Sequence, residues 1–311
     1  MRQAVQSHFQ SISHLRVVEA EKPSPKPGEI LVKVEATGVN PVDWKLAEGY
    51  MNGAINISMP YVPGCDISGT VEQLGEGVTH FRTGDAIYGY PSLLRGGGYA
   101  EYIIMLENEM AIAPRGIPLR EAAAYPVASC TAYEGLFVYG KLARGMRLLV
   151  LGGAGGVGSA AVQLAKRAGA EVFATGSAAK KDYLEGLGAI AIDYGAGPVG
   201  QFIRDVDFIF DTIGGVTALG AIPTLKRGGQ YISPVFPLPP SEALDAVGAT
   251  GLGYGILPNR ERLEQVRPII EAGDLRISVE REFPLSEVLA ALEQSKMGRT
   301  KGKLLVVPAL G

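Results

Sequence analysis

The sequence predicts an α/β protein of two domains, a small antiparallel barrel and a doubly wound parallel sheet, and three observations predict it. One is the stretch Leu148-Leu149-Val150-Leu151, running through Gly152-Gly153-Ala154-Gly155-Gly156-Val157-Gly158 into residues 159–169. Another is a change of rhythm near Leu119, from short strands broken by Gly and Pro to alternating strands and helices. Size is the third: 311 residues, 47% hydrophobic and 20% charged, hold two cores of ordinary globular composition.

Four apolar residues without alternation suit a strand buried on both faces, as in a parallel sheet. Beyond the glycines, Val157, Ala160, Ala161, Leu164, Ala165 and Ala168 recur at helical spacing; Lys166 and Arg167 complement the negative end of the dipole, and Gly169 caps it. Gly153, Gly155 and Gly158 then fit G-x-G-x-x-G where that spacing has a mechanism. The first permits the tight turn, the second lets a pyrophosphate approach the backbone, and the third lets helix and strand pack closely. The amides of Ala154, Gly156 and Val157 complete a seat for an anion at the helix start. Among 42 glycines a bare match means little. Between a buried strand and a capped helix it points to a dinucleotide, the alternative being a glycine-rich turn that binds nothing.

In the first part Ile30, Val32, Val34 and Ala36 alternate with Leu31, Lys33, Glu35 and Thr37, which predicts a half-buried strand. Residues 69–74, 86–90, 99–105 and 110–113 are further strands, spaced as in a compact antiparallel barrel. Past Leu119, strands at 148–151, 172–175, 190–192, 208–210 and 231–233 alternate with helical stretches, the pattern of a doubly wound sheet. Helices at 261–272 and 286–296 and a strand at 304–307 are expected to return to the first domain. The domains are therefore 1–119 with 258–311, and 120–257.

A net charge of −3 gives no basic excess for nucleic acid. Residues 1–8 hold no apolar run behind a basic flank, so a cytoplasmic protein is expected. Residues 148–165 are nearly uncharged and long enough to suggest a membrane helix, but their glycines favour strand, turn and helix. Cys65 and Cys130 read as reduced thiols, too few for a disulfide framework.

Several separate motifs occur in order: Pro27-Gly28-Glu29, Gly38-Val39-Asn40-Pro41-Val42-Asp43-Trp44-Lys45, Pro63-Gly64-Cys65-Asp66, Phe81-Arg82-Thr83-Gly84-Asp85, Thr131-Ala132-Tyr133, the glycine turn, and Gly298-Arg299-Thr300-Lys301-Gly302-Lys303. With them the chain resembles, over nearly its full length, the medium-chain dehydrogenases/reductases, in particular their zinc-independent quinone oxidoreductase and enone reductase branch. The resemblance implies a GroES-like barrel, a Rossmann domain, a cleft between them, and a homodimer joined through Rossmann sheet edges. Strand 231–233, followed by Pro234, Pro237, Pro239 and Pro240, is the expected edge. Where zinc members place their catalytic ligands this chain has Asn40, Cys65 with Asp66, and Val127, and none of His8, His14 and His80 stands beside a Cys. No metal is expected.

An NAD site wants a carboxylate about 20 residues past the glycines, whereas residues 172–181 carry none before Asp182. A hydroxyl and an ammonium suit a 2′-phosphate, and NADPH-binding relatives carry similar residues at the positions of Ser177 and Lys180. NADPH is the expected cofactor, the alternative being lysines that merely solvate a helix start. The resemblance further implies Tyr194 near the adenosine, and Thr131, Ser233 and Val235 near the nicotinamide. A quinone or enone accepts hydride at carbon without a Lewis acid, so a small conjugated carbonyl or quinone is the expected substrate. Asn40, Asp43 and Lys45 are the polar residues of the corresponding cleft segment. Lys45 is the expected donor to the developing enolate, with Asp43 fixing it, against a plain structural ion pair; Tyr50 is a weaker substrate contact. Two other readings stay open: a reductase committed to one biosynthetic intermediate, and a non-catalytic NADPH-binding protein.

Overall fold

The computed structural model describes residues 1–310. The chain forms two compact units, one of residues 1–127, 257–272 and 278 onward, the other of residues 128–256 and 273–277. No helix among the described residues is long and apolar enough to cross a membrane.

The first unit opens with an antiparallel pair, β1 (Arg2–Gln6) and β2 (Leu15–Glu19). It continues through β3 (Glu29–Gly38), α1 (Pro41–Ala47), β4 (Asp66–Leu74), β5 (Ala86–Gly89), β6 (Tyr102–Leu106), β7 (Met110–Ile112) and α2 (Leu119–Ala122). Strand β3 is the hub, antiparallel to β4 along its length and to β6 over its first half. Ile30, Val32 and Val34 meet Ile67, Val71, Phe81, Ile87 and Met105 in the barrel core, as the alternation predicts. The opposite face of β3 is not open, however: Leu31 and Thr37 are buried too, and α2 packs against β3 and β4.

In the second unit follow α3 (Pro126–Tyr133, entered from the first), β8 (Arg147–Leu151), α4 (Gly156–Arg167), β9 (Glu171–Gly176), α5 (Lys181–Gly186), β10 (Ile190–Asp193) and β11 (Val206–Asp211). Then come α6 (Gly215–Ala221), β12 (Leu225–Ser233), α7 (Ser241–Asp245) and β13 (Thr250–Gly253). The six strands are parallel in the order β10-β9-β8-β11-β12-β13. All four apolar residues 148–151 are fully buried, because the strand is central and covered on both faces. The winding reverses between β8 and β11, the switch point where such sheets bind ligands beyond their carboxyl ends.

Four strands escape the sequence reading, β1 and β2 at the start of the chain and two strands at sheet edges. β13 reads Thr-Gly-Leu-Gly, with too little side chain to signal a strand, and it takes the edge position. Strand 231–233 is consequently interior, the end of β12 between β11 and β13, which corrects the expected edge. The tail of the chain contains α8 (Arg260–Glu271), β14 (Val279–Pro284), α9 (Val288–Lys296) and β15 (Lys303–Val307). β14 carries Glu280, Arg281 and Glu282 at the edge of the barrel sheet, and its charges hide it from a hydrophobic pattern. β15 pairs antiparallel with the end of β3 at Thr37 and Gly38. The Lys303 side chain is thereby carried to the junction of β3, β4 and α1.

Candidate active site

In the second unit the glycine turn has the geometry its spacing requires. A Cβ on Gly153 would stand 2.7 Å from the Ala174 side chain, and one on Gly158 only 2.1 Å from the Gly152 carbonyl oxygen. At Gly155 a Cβ would meet nothing nearer than 3.7 Å, so the turn is tight at both ends and open in the middle. Gly155 is the N-cap of α4 and no side chain caps it, which leaves the first-turn amides of a twelve-residue helix to an anion. The residues present therefore fit a dinucleotide. Thr175, missed in the sequence, anchors the turn: its Oγ1 accepts from Gly152 N–H at 3.0 Å and its carbonyl from Gly153 N–H at 3.0 Å. A hydroxyl closing an otherwise apolar strand beside the glycines is the signal that could have found it.

Just past β9, Ser177 lines a cavity of about 230 Å³ with Ala178, Lys181, Leu184, Ile192 and Asp193. Lys181, not Lys180, is in its wall; Lys180 stands half-buried beside it in sequence. Tyr194 follows β10, 63% exposed and with its N–H donating to the Gly176 carbonyl.

Ser233 and Val235 are bonded to each other, Val235 N–H donating to Ser233 Oγ at 2.9 Å, and Ser233 Oγ donates to the Asp211 carbonyl. The Asp211 carboxylate, fully buried, accepts from the amides of Ile213 and Gly214 and from the Tyr231 hydroxyl. Asp211 thus ties the turn after β11 to the end of β12. An acid terminating the apolar run Phe208-Ile209-Phe210 marks it in the sequence. Thr131, nearly buried, offers its carbonyl to the Tyr254 hydroxyl at 2.6 Å.

In the first unit Asn40, Asp43, Cys65, Asp66 and Val127 do come together, but around an ammonium. Lys303 Nζ donates to Asp66 Oδ2 and to Asn40 Oδ1, both at 2.7 Å. Asn40 Nδ2 also donates to Asp66 Oδ2, at 2.8 Å, and lies 3.9 Å from Cys65 Sγ. The Val127 amide donates to Asp66 Oδ1 at 2.6 Å. Burial pushes the Cys65 thiol well up, away from the thiolate a metal needs. No group of three or more His, Cys, Asp or Glu side chains able to hold a metal ion occurs among the described residues. These residues do not fit a catalytic zinc ion. Lys303 was legible only as part of a motif, because a lysine opening an apolar strand gives no sign of where its ammonium goes.

One expectation is corrected here. Asp43 does not fix Lys45: two residues apart on α1 they point to different sides, and Asp43 Oδ2 accepts from Asn40 N–H at 2.8 Å and the Tyr99 hydroxyl at 2.7 Å. Asn40 is 4% exposed, and its side-chain amide is engaged by Asp66 and Lys303. Lys45 is half-buried, with its ammonium 5.7 Å from the Trp44 ring centre, and burial lowers its pKa. Tyr50, 70% exposed, meets Trp44 edge to face.

Asp43 has a further consequence for pH. Its Oδ1 has no hydrogen-bond partner among the described residues, and burial pushes its carboxyl up to about 6 despite the Asn40 and Tyr99 hydrogen bonds and the Lys303 charge, which pull the other way. Its ordinary value is 3.8, so the folded chain holds this proton more tightly than the unfolded chain. The stabilisation this confers is present at low pH and is lost as pH rises from there through about 6. Asp43→Asn, which titrates nothing here, is expected to gain roughly 2–3 kcal/mol on the wild type between about pH 4 and about pH 7. Denaturant unfolding of both proteins at the two pH values checks this, and a constant gap contradicts it.

Comparison with known proteins agrees with this geometry. Residues 26–115 match the family model of the alcohol dehydrogenase GroES-like domain, and residues 187–306 that of the zinc-binding dehydrogenase. The chain is 32% identical over 310 residues to the chloroplast envelope quinone oxidoreductase homolog of Arabidopsis thaliana, covering 94% of each. It is 34% identical over 297 residues to the NADPH-dependent alkenal/one oxidoreductase of the same plant, covering 92% of this chain and 74% of the relative. The quinone oxidoreductase of Coxiella burnetii superposes with a TM-score of 0.90 at 28% identity, covering 99% of both chains. Barrel, parallel sheet and glycine turn, together with these likenesses, make the chain a pyridine-nucleotide-dependent oxidoreductase of the medium-chain dehydrogenase/reductase superfamily, in its quinone and alkenal/one oxidoreductase branch.

Proposed function

We propose that this chain reduces a small quinone or α,β-unsaturated carbonyl with NADPH and without a metal ion. The observation that carries the reading is the pairing, in one chain, of a dinucleotide seat at residues 153–158 with a buried donor set that Lys303 closes to metal. When bound, the reduced nicotinamide supplies hydride to carbon. The chain's own part is to seat the pyrophosphate on the α4 amides, to hold the 211–215 and 233–235 segments through Asp211, and to offer one donor to the acceptor's oxygen. That donor is Lys45, whose ammonium, less firmly protonated through burial, suits it to stabilise the developing enolate or hydroquinone oxygen. Thr131 and Val235 are the proposed nicotinamide neighbours, Tyr194 the adenosine neighbour and Tyr50 a substrate contact. A panel of quinones, enals and enones assayed for NADPH consumption tests the reading; inertness toward all of them contradicts it.

Preference for NADPH is assigned to Ser177 with Lys180, and to Lys181 in the adjoining cavity wall. A charge-assisted hydrogen bond to the 2′-phosphate contributes ~1.5–3 kcal/mol. Lys180→Ala and Lys181→Ala together are therefore expected to weaken NADPH roughly 10- to 100-fold and NADH hardly at all. Equal losses for both nucleotides would mean that the lysines act through the fold. A homodimer joined along the open edge of β13 completes the proposal, the sheet ending there with unpaired backbone groups. Sedimentation at micromolar concentration should give twice the 32.8 kDa chain mass, and a monomer rules it out.

A further inference from the structure

The second matched family model is named for zinc, and the residues of this chain disagree with it. Asp66 is fully buried at the start of β4, and a carboxylate out of water needs a positive charge beside it. The charge present is Lys303, itself only 5% exposed. We propose that Lys303 is a tethered cation that takes the place of a metal ion in this unit, balancing Asp66 and locking Asn40, so that the site is complete without zinc.

The backbone is arranged to deliver it. Gly302 adopts φ +70°, and a Cβ there would lie 2.0 Å from the Ser278 carbonyl oxygen, so only glycine lets β15 begin where it does. Lys303 N–H then donates to that same carbonyl at 2.8 Å, and Val39 N–H to the Leu304 carbonyl at 2.9 Å, fixing β15 beside the end of β3. Around the ammonium both Asp66 oxygens are engaged: Oδ2 by Lys303 and Asn40, Oδ1 by the Val127 amide. Asn40 in turn presents its carbonyl oxygen to Lys303 and its amide to Asp66, and it stands at the N-cap of α1, the helix that carries Lys45. A divalent ion entering here would have to expel the ammonium from both Asp66 and Asn40.

The inference shares with the proposed function the reading that no metal is held, but its stability test needs no turnover, so a chain inert toward quinones and enones would leave it standing. Full-length wild type, Lys303→Ala, and the double variant Lys303→Ala with Asp66→Asn are compared for zinc content and thermal unfolding. Wild type is expected to hold no stoichiometric zinc and to unfold at the same temperature with added zinc or chelator. Lys303→Ala leaves a buried carboxylate unpaired and should unfold about 10 °C lower. The double variant leaves no unpaired charge and should recover most of that loss. A double variant as unstable as Lys303→Ala would show that Lys303 acts only through packing and overturn the proposal, as would about one tightly held zinc per wild-type chain. If Lys303→Ala fails to fold, the double variant decides alone: folded supports the tethered cation, unfolded overturns it.

Discussion

Gly158→Ala should cost this chain its dinucleotide. The added Cβ would stand 2.1 Å from the Gly152 oxygen, 2.8 Å from the Gly152 carbonyl carbon and 2.9 Å from Gly153 Cα. All three are backbone atoms of the turn itself, so no side chain can swing away, and α4 must lift off β8. Overpacking of this kind costs about 1–3 kcal/mol and displaces the α4 amides from any anion they hold. An affinity loss on the order of 100-fold or more for NADPH and NADH alike is expected, with a lowered unfolding temperature. Gly155→Ala makes the contrast. Its Cβ meets only the Gly152 oxygen, at an ordinary 3.7 Å, so the fold should be unaffected while the methyl intrudes where the pyrophosphate approaches. Nucleotide titration beside thermal unfolding separates the two cases. Wild-type affinity in Gly158→Ala would remove the turn from the binding site.

Lys45→Ala is expected to lower kcat and kcat/KM together by roughly 100-fold with a quinone or enone acceptor, the scale of removing one donor from an oxyanion site. The ammonium is half-buried and has no carboxylate partner on its own helix, since Asp43 is turned to Asn40 and Tyr99. It is therefore free to meet charge that appears only as hydride arrives. Nucleotide affinity should not change, because no dinucleotide contact is assigned to Lys45. Steady-state kinetics at saturating NADPH checks the split. An effect confined to KM would reduce Lys45 to a residue that binds the acceptor equally well before and during the reaction.

The part of the site that is legible in sequence is the part set by local constraints. Gly153, Gly155 and Gly158 each answer a steric requirement within a few residues, and the apolar run before them and the alanine-lined helix after them supply the context. The parallel sheet is legible for the same reason, its central strands being continuous apolar runs such as 148–151. What is not legible depends on partners distant along the chain. Lys303 reaches Asp66 across 237 positions and Asn40 across 263, and nothing in the composition of either neighbourhood announces the other. Asp43 and Lys45 look like a pair on paper because they are close in sequence, yet helical geometry sends them apart. β13 and β14 are lost because an edge strand needs one paired side and little burial, so glycines and charges suffice there.

Metal-independent delivery of hydride to a conjugated acceptor is tested most directly in a single turnover. The chain, treated with a chelator and loaded with one equivalent of NADPH, is mixed in separate runs with a simple 1,4-quinone, an enone and a saturated ketone, while nicotinamide absorbance is followed. Loss of about one NADPH per chain with the quinone or the enone, and almost none with the saturated ketone, is the expected result, because only the conjugated acceptors can spread the incoming charge without a Lewis acid. NADPH that stays reduced with all three, or that is consumed as efficiently by the saturated ketone, would contradict it.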